Sequence, residues 1–288
     1  MVRTNKAIPV SNPEIQKLHF LKLGGSLITD KNQAHTLRPQ TLARLAEEIA
    51  AAQAQGENLK VVLGHGSGSF GHIVAKKYGT RLGVHSPTEW QGFAEVWGKA
   101  IALNRLVMDA LHKAGLLAIS FPPVASVIAH DAQVAAWDLT PISHALQAGL
   151  LPVVFGDVAF DLQRGGTILS TEDLFAHLAR HLPQTAGLGP GRVLLAGIEE
   201  GVWEDFPTCT RLIEQLTPQS YAGLTDSVSG ARSADVTGGM ASKVQHSLAM
   251  VQENPKLEVW IFSGERPGAV RQALLGKRVG TVIQAGMA

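Results

Sequence analysis

The sequence predicts an α/β protein with a mostly parallel central sheet and helices on both faces. Short apolar runs of strand length alternate with longer segments of helical periodicity, and several of the runs end on glycine. Hydrophobic residues make up 45% of the 288 residues and charged ones 17%, enough for a sizeable core and too apolar for a disordered chain.

Taken in order, residues 1–16 read as a polar N-terminal extension and residues 17–288 as the folded domain. His19–Leu23 is a strand ending in Gly24-Gly25-Ser26, and 39–54 a helix with Leu42, Leu45 and Ile49 on one face. A strand at 60–63 ends at Gly64, and 88–114 is a long helix carrying Trp90, Phe93, Trp97 and Ile101. A strand at 116–121, an irregular apolar stretch and a helix at 140–148 follow. A strand at 151–155 leads into Gly156-Asp157, and Gly165-Gly166 marks a hairpin turn before 167–170. Helices at 171–181 and 238–251 and strands at 192–195, 257–262 and 280–283 complete the pattern. Pro183, Gly187, Gly189, Pro190 and Gly191 accumulate where a boundary between two lobes is expected, about 17–185 and 186–288.

A net charge of +1 provides no overall field for nucleic acid or an anionic membrane, so any cationic site must be local. The single cysteine, Cys209, excludes an intramolecular disulfide and suits a reducing cytoplasm. No signal peptide is expected, and no stretch approaches the roughly 20 apolar residues that span a bilayer.

Three glycine-rich stretches carry the chemistry. The first is Lys22-Leu23-Gly24-Gly25-Ser26, where Lys22 lies inside an apolar strand. A buried ammonium is costly unless an anion meets it, so the position points to a charged ligand as readily as to an edge strand. The second is Gly66-Ser67-Gly68-Ser69-Phe70-Gly71-His72. It contains G-x-G-x-x-G, yet the acidic residue expected about 20 positions on is Glu89, ahead of a helix. It also lacks the Lys and hydroxyl of a P-loop, since His72-Ile73 stand there. Both motifs share a strand, glycines and a helix N-terminus that attracts phosphate. The third is Asp235-Val236-Thr237-Gly238-Gly239-Met240, with Lys243 one turn further on.

Together these stretches resemble the amino acid kinase superfamily and, within it, the isopentenyl phosphate kinases. The resemblance runs from about Phe20 to Ile283 and includes Lys31, Gly156-Asp157-Val158 and Ile168-Leu169-Ser170. It implies an open αβα sandwich that binds ATP on its C-terminal half and a phosphate acceptor on its N-terminal half. Lys22, Lys31 and Lys243 are then the cations on the transferred or terminal phosphates, and His72 binds the acceptor phosphate. Gly24, Gly25, Ser26, Gly68, Asp157, Gly238 and Gly239 contact the nucleotide; Gly66, Ser67, Gly71 and Gly156 contact the acceptor. A homodimer is implied as well. Two stretches depart from the family, Ala196-Gly197-Ile198-Glu199-Glu200-Gly201 at the adenosine side and Thr171-Glu172-Asp173 in place of a Gly-Asp-Asp-like run.

If the acceptor is a phosphate monoester such as isopentenyl phosphate, its second pKa near 6 makes it an anionic nucleophile without a strong base. Catalysis is then positioning and charge stabilisation. Mg²⁺ would bridge ATP oxygens and keep most of its waters, with Asp157 and Asp173 as indirect partners and no dedicated protein metal site. The acceptor's tail needs an apolar pocket, for which Phe93, Trp97, Ile101, Val127 and Ile128 are candidates. A fosfomycin kinase, a nicotinamide-dependent oxidoreductase and a non-catalytic nucleotide sensor are the competing readings.

Overall fold

The computed structural model describes residues 15–56, 59–222 and 239–286. It is a two-sheet α/β structure. The main sheet contains β1 (Lys17–Leu23), β2 (Lys60–His65), β3 (Ala118–Ser120), β6 (Leu151–Phe155), β9 (Gly189–Gly197), β10 (Gln215–Leu216), β11 (Glu258–Ser263) and β12 (Thr281–Ile283). Their spatial order is β10-β12-β11-β9-β1-β2-β6-β3, parallel except for the β11–β12 pair. A smaller sheet of order β5-β4-β7-β8 is built from β4 (Val127–His130), β5 (Gln133–Trp137), β7 (Asp157–Asp161) and β8 (Gly165–Leu169).

The central strands are apolar on both faces because helices cover both. Leu21, Leu23, Leu63, Val153 and Leu194 point one way, into a core shared with α2 (Pro39–Gln55), α4 (Pro87–Lys113) and α8 (Ala269–Leu274). Phe20, Val62, Val154, Val193 and Leu195 point the other way, toward α5 (Thr140–Gln147), α6 (Thr171–Ala186) and α7 (Gly239–Glu253). This period of two, buried on each face, is what a continuous apolar run encodes in a parallel sheet. Two short helices at the sheet's C-terminal edge, α1 (Gly25–Ile28) and α3 (Gly68–Tyr78), follow β1 and β2 directly.

The expected elements are present, joined by α1, α8 and β10, which the sequence pattern did not single out, and three stretches differ. The stretch between 121 and 140, expected to be irregular, forms a turn of 3₁₀ helix at Pro123–Ala125 and the β4–β5 hairpin. Its turn residues Asp131 and Ala132 both have positive φ, 50° and 59°. The Asp161 carboxylate accepts their N–H groups at 3.1 and 2.7 Å, and those of Gln163 and Arg164 at 2.9 Å. Those four bonds outweigh the cost of its burial and hold the carboxyl below its usual range. The second hairpin turns at residues 162–164, and Gly165-Gly166 open the returning strand instead of forming the turn. Finally, α6 passes Pro183 and stops at Gly187, which adopts φ 68°.

One buried carboxylate that periodicity alone assigns to a core helix has a specific task. Glu48 of α2 accepts N–H bonds from Gly268 (2.8 Å), Val270 (3.0 Å) and Arg271 (3.3 Å), capping α8 from another helix. Arg44 holds it at 2.5 Å and donates to Gly264 O at 2.6 Å, which fixes the loop leaving β11.

Candidate active site

β1 is flanked by β2 on one side and β9 on the other, so the strand order reverses beside it. In open α/β sheets such a switch point, outside the carboxyl ends of the strands, is where ligands bind. Both glycine loops that follow β1 and β2 are there.

The two loops interlock. Gly24 N–H donates to Ala196 O (2.8 Å) and Gly66 N–H to Leu23 O (3.0 Å). A Cβ on Gly25 would lie 2.4 Å from Gly68 N, one on Gly66 2.8 Å from Gly25 N, and one on Gly68 2.1 Å from Thr29 Oγ1. Thr29 joins them: its hydroxyl donates to Gly25 O (2.7 Å) and accepts from Ser69 N–H (3.0 Å). The helix that begins at Gly68 has no side-chain cap and no acidic residue in its first turn. By contrast α4 and α6 each begin with a full capping box, Ser86/Glu89 and Ser170/Asp173. The Ser69, Phe70 and Gly71 amides are bonded to Thr29 Oγ1 and Ser67 O, so what the start of α3 offers a phosphate is chiefly a helix dipole with no acidic residue against it. Behind it, the buried His65 ring stacks on Phe155 at 5.3 Å and lies 3.2 Å from Gly66 O and from Asn104 Oδ1.

Lys22 falls on the α6 face of β1, one residue before the strand's end, where it forms an ion pair with Glu172. Both side chains are about nine-tenths buried, at 11% and 10% exposure. Burial pushes the Glu172 carboxyl up, but the Lys22 charge and hydrogen bond, with a contribution from Lys243, hold it below its usual range. Glu172 is placed by the start of α6, anchored through Thr171 Oγ1 donating to His65 O at 2.7 Å. Lys22, Gly24, Glu172, Gly197, Glu199 and Lys243 line one cleft at the carboxyl edge of β1 and β9.

His72 stands on the outer side of α3 with an exposed edge. Partial loss of hydration, then the charges of Lys22 and Arg81, lower its imidazole pKa, with Glu172 acting weakly the other way. The positive charges around the cleft thus work against a charged imidazole in the free site.

Other expected residues are placed differently. Gly239 and Met240 begin α7, and Met240 lines the cleft; Gly238 and Asp235-Val236-Thr237 lie outside the described residues. Ser26, Ser67 and Gly156 are half-buried in the loop junctions and Gly71 is buried within α3. Lys31 is exposed in the turn after Thr29 and does not line the cleft. Asp157 is 1% exposed: one carboxylate oxygen accepts from Val158 N–H at 2.8 Å and the other is buried without a well-formed hydrogen bond. Burial raises it to about 7 against the pull of the Val158 and Val124 amides, so it is enclosed in the fold and does not face the cleft. Asp173, expected as an indirect partner of Mg²⁺, caps α6 through Ser170 N–H (2.8 Å) and Ser170 Oγ (2.7 Å).

The five tail-pocket candidates do not come together either. Phe93 belongs to a small apolar cluster with Val74, Val84, Val96 and Val158, between α3, α4 and the small sheet. Val127 is in the main core, while Trp97 and Ile128 are exposed at 42% and 37%. Ile101 is half-buried on α4 outside that cluster. Residues that sequence reasoning missed are Thr29, His65, Glu172 as the Lys22 partner, and Arg81.

The amino acid kinase family profile matches residues 17–263, nearly the whole described fold. The chain belongs to the amino acid kinase family. Within the family it is similar to the isopentenyl phosphate kinase of Methanocaldococcus jannaschii, 31% identical over 92% of this chain and 98% of that protein. The enzyme of the same name from Methanothermobacter thermautotrophicus is 33% identical over 90% and 96%. A crystallographic isopentenyl phosphate kinase superposes with TM-score 0.77 at 28% identity, over 93% of this chain and 100% of the other.

Proposed function

We propose that the protein transfers the γ-phosphoryl group of ATP to isopentenyl phosphate, forming isopentenyl diphosphate and ADP. The observation that carries this reading is the interlocking of the two glycine loops beside the buried Lys22–Glu172 pair, at the switch point of the sheet. We place the acceptor's short hydrocarbon tail toward the apolar cluster of Val74, Phe93, Val96 and Val158, which packs against α3. The identity with kinases of that name supports the same acceptor.

The acceptor's anionic oxygen attacks the γ-phosphorus and the bond to the β-bridging oxygen breaks, releasing ADP; no proton need move. The obstacle is repulsion between polyanions. At about 4 Å and an effective dielectric near 20, one unit-charge contact is worth roughly 4 kcal/mol before desolvation. Lys22 and Lys243 line the cleft along the transfer path, Glu172 pairing with Lys22 and feeling the Lys243 charge. Lys31 would join them from its exposed turn. His72 donates an N–H to the acceptor phosphate. ATP lies on the 186–288 side, along Gly24, Ala196 and Gly197, and the acceptor on the 17–185 side. Mg²⁺ held on ATP oxygens would neutralise part of the triphosphate charge, with Glu199 as its carboxylate partner through water; among the described residues no group of three metal-binding side chains is present.

No helix of the described residues is long and apolar enough to cross a membrane. We place the enzyme in the cytoplasm, acting on small molecules and without nucleic acid. A homodimer is supported by the open edge strand β3, where Ile119 is 40% exposed and Leu117, just before the strand, 66%.

The deciding experiment is ADP release from Mg-ATP with isopentenyl phosphate, fosfomycin and glutamate offered separately. Turnover with the first is expected; turnover with fosfomycin alone would move the acceptor to a phosphonate, and silence with all three would refute the assignment. In the same assay His72→Ala is expected to raise the acceptor KM and lower turnover by about 10²-fold, the scale of one lost transition-state contact. ATP binding should stay within about twofold, because His72 lies on the α3 side of the cleft; unchanged turnover would remove His72 from the site.

A further inference from the structure

We infer that Arg81 is the mobile cation that captures the acceptor's phosphate, released from Asp173 as the acceptor arrives. The inference rests on the phosphate-acceptor reading of this site and names a residue for it.

Three observations carry it. The Arg81 backbone is fixed while its guanidinium is not. Its carbonyl accepts from Thr167 Oγ1 (3.1 Å) and Arg164 Nη1 (3.4 Å), which pins the loop after α3 to the small sheet. The side chain is 57% exposed, and its contact with Asp173 is long, 3.4 Å. That Asp173 oxygen already accepts two shorter bonds from Ser170, so the ion pair is a weak, exposed one and little is lost in leaving it.

Charge balance is the second. Lys22 is paired with Glu172, whose carboxylate also feels Lys243, so part of the lysines' charge is already compensated before any acceptor binds. The His72 imidazole is held below its usual pKa by burial and by the Lys22 and Arg81 charges, which disfavours a second positive charge there. A phosphate dianion held by His72 and α3 amides alone would lack a full positive charge on its own side of the cleft.

Place is the third. Arg81 is near enough to His72 for its charge to depress the imidazole, and its present partner is the third residue of α6, next to Glu172. The guanidinium is thus on the rim between the acceptor loop and the Lys22–Glu172 pair. Its planar donors match a phosphate better than they match a carboxylate oxygen already saturated by Ser170.

The test needs no turnover. Inorganic phosphate is titrated into the full-length protein while the His72 ring resonances are followed by NMR, in wild type, Arg81→Ala and Arg81→Lys. Phosphate affinity should fall about tenfold in Arg81→Ala, equivalent to about 1.4 kcal/mol, with part recovered in Arg81→Lys. The His72 pKa in the phosphate-free protein should rise in Arg81→Ala, which checks that the guanidinium lies beside the imidazole. With Mg-ATP, the acceptor KM should rise by a similar factor while kcat and the ATP KM stay within about twofold. Phosphate affinity within about twofold of wild type in Arg81→Ala would overturn the inference. So would a loss of affinity accompanied by unfolding in Arg81→Ala and equally in Arg81→Lys. If the wild type failed to turn over isopentenyl phosphate, the acceptor assignment would fall, and the phosphate titration would still decide Arg81.

Discussion

Replacing Lys22 with alanine is expected to reduce phosphoryl transfer by about 10³-fold, the upper end for removing one preorganised electrostatic contact in a water-poor site. The side chain is 11% exposed and extends from the next-to-last residue of β1 into the cleft that Lys243 also lines. Its loss has a second consequence: Glu172 becomes a buried carboxylate without its main partner. Removing one member of a buried pair typically costs about 3–5 kcal/mol, so the variant should also melt at lower temperature. Nearby Lys243 and protonation of Glu172 soften that loss. The two effects separate in a double variant. Lys22→Ala with Glu172→Gln should regain most of the melting temperature, because the stranded charge is gone, and should remain inactive. The measurements are initial rates with Mg-ATP and isopentenyl phosphate, and thermal unfolding of the single and double variants. A double variant that recovered both rate and stability would mean that Lys22 serves the fold and not the transfer.

The same pair shows where sequence reasoning succeeds and where it stops. Lys22 was legible because an ammonium inside an apolar strand has to be explained, and a strand's two-residue period assigns it a face. Glu172 was not, because acidic residues in the first turn of a helix are ordinary dipole partners. Only the packing of α6 over the end of β1 distinguishes Glu172, turned to Lys22, from Asp173, turned to its own cap. The central strands were legible for a similar reason: β1, β2, β6, β9 and β11 carry apolar runs buried on both faces. The β4–β5 hairpin was missed because its turn, Asp131-Ala132, lacks the Asn or Gly that usually signals positive φ at both positions. The compensation comes from Asp161, about thirty residues downstream, and no local pattern reports it. Arg81 was invisible on the same grounds, since its neighbours His72, Thr167 and Asp173 come from three separate elements.

A second large effect is expected at Gly68, where a single methyl group should disable the site. In Gly68→Ala the new Cβ would lie 2.1 Å from Thr29 Oγ1, 2.7 Å from Gly25 O and 2.9 Å from Thr29 Cγ2. Two of those contacts are rigid for different reasons: Gly25 O is backbone, and Thr29 Oγ1 is fixed by bonds to Gly25 O and Ser69 N–H. The residue's φ of 49° adds a left-handed penalty of about 1–2 kcal/mol for alanine, on top of roughly 1–3 kcal/mol for overpacking. The strain is relieved most cheaply by moving the start of α3 away from the β1 loop. That displaces the loop junction where we place the acceptor phosphate, and a displacement near 1 Å is enough to cost about 10²-fold in rate. Gly79, at the opposite end of α3, isolates the steric part. Its φ is also positive, 63°, but nothing lies within 4 Å of a Cβ placed there. Gly79→Ala should therefore lose only the conformational part, about 1 kcal/mol of stability, and keep a rate within about threefold of wild type. Comparing the two variants in melting temperature and in kcat/KM for isopentenyl phosphate decides the matter. If they lose activity equally, backbone conformation explains both and the interlocking of the two glycine loops has no catalytic weight. If Gly68→Ala alone collapses in rate, the close approach of Gly25, Gly66 and Gly68 is what holds the α3 amides in register with Lys22.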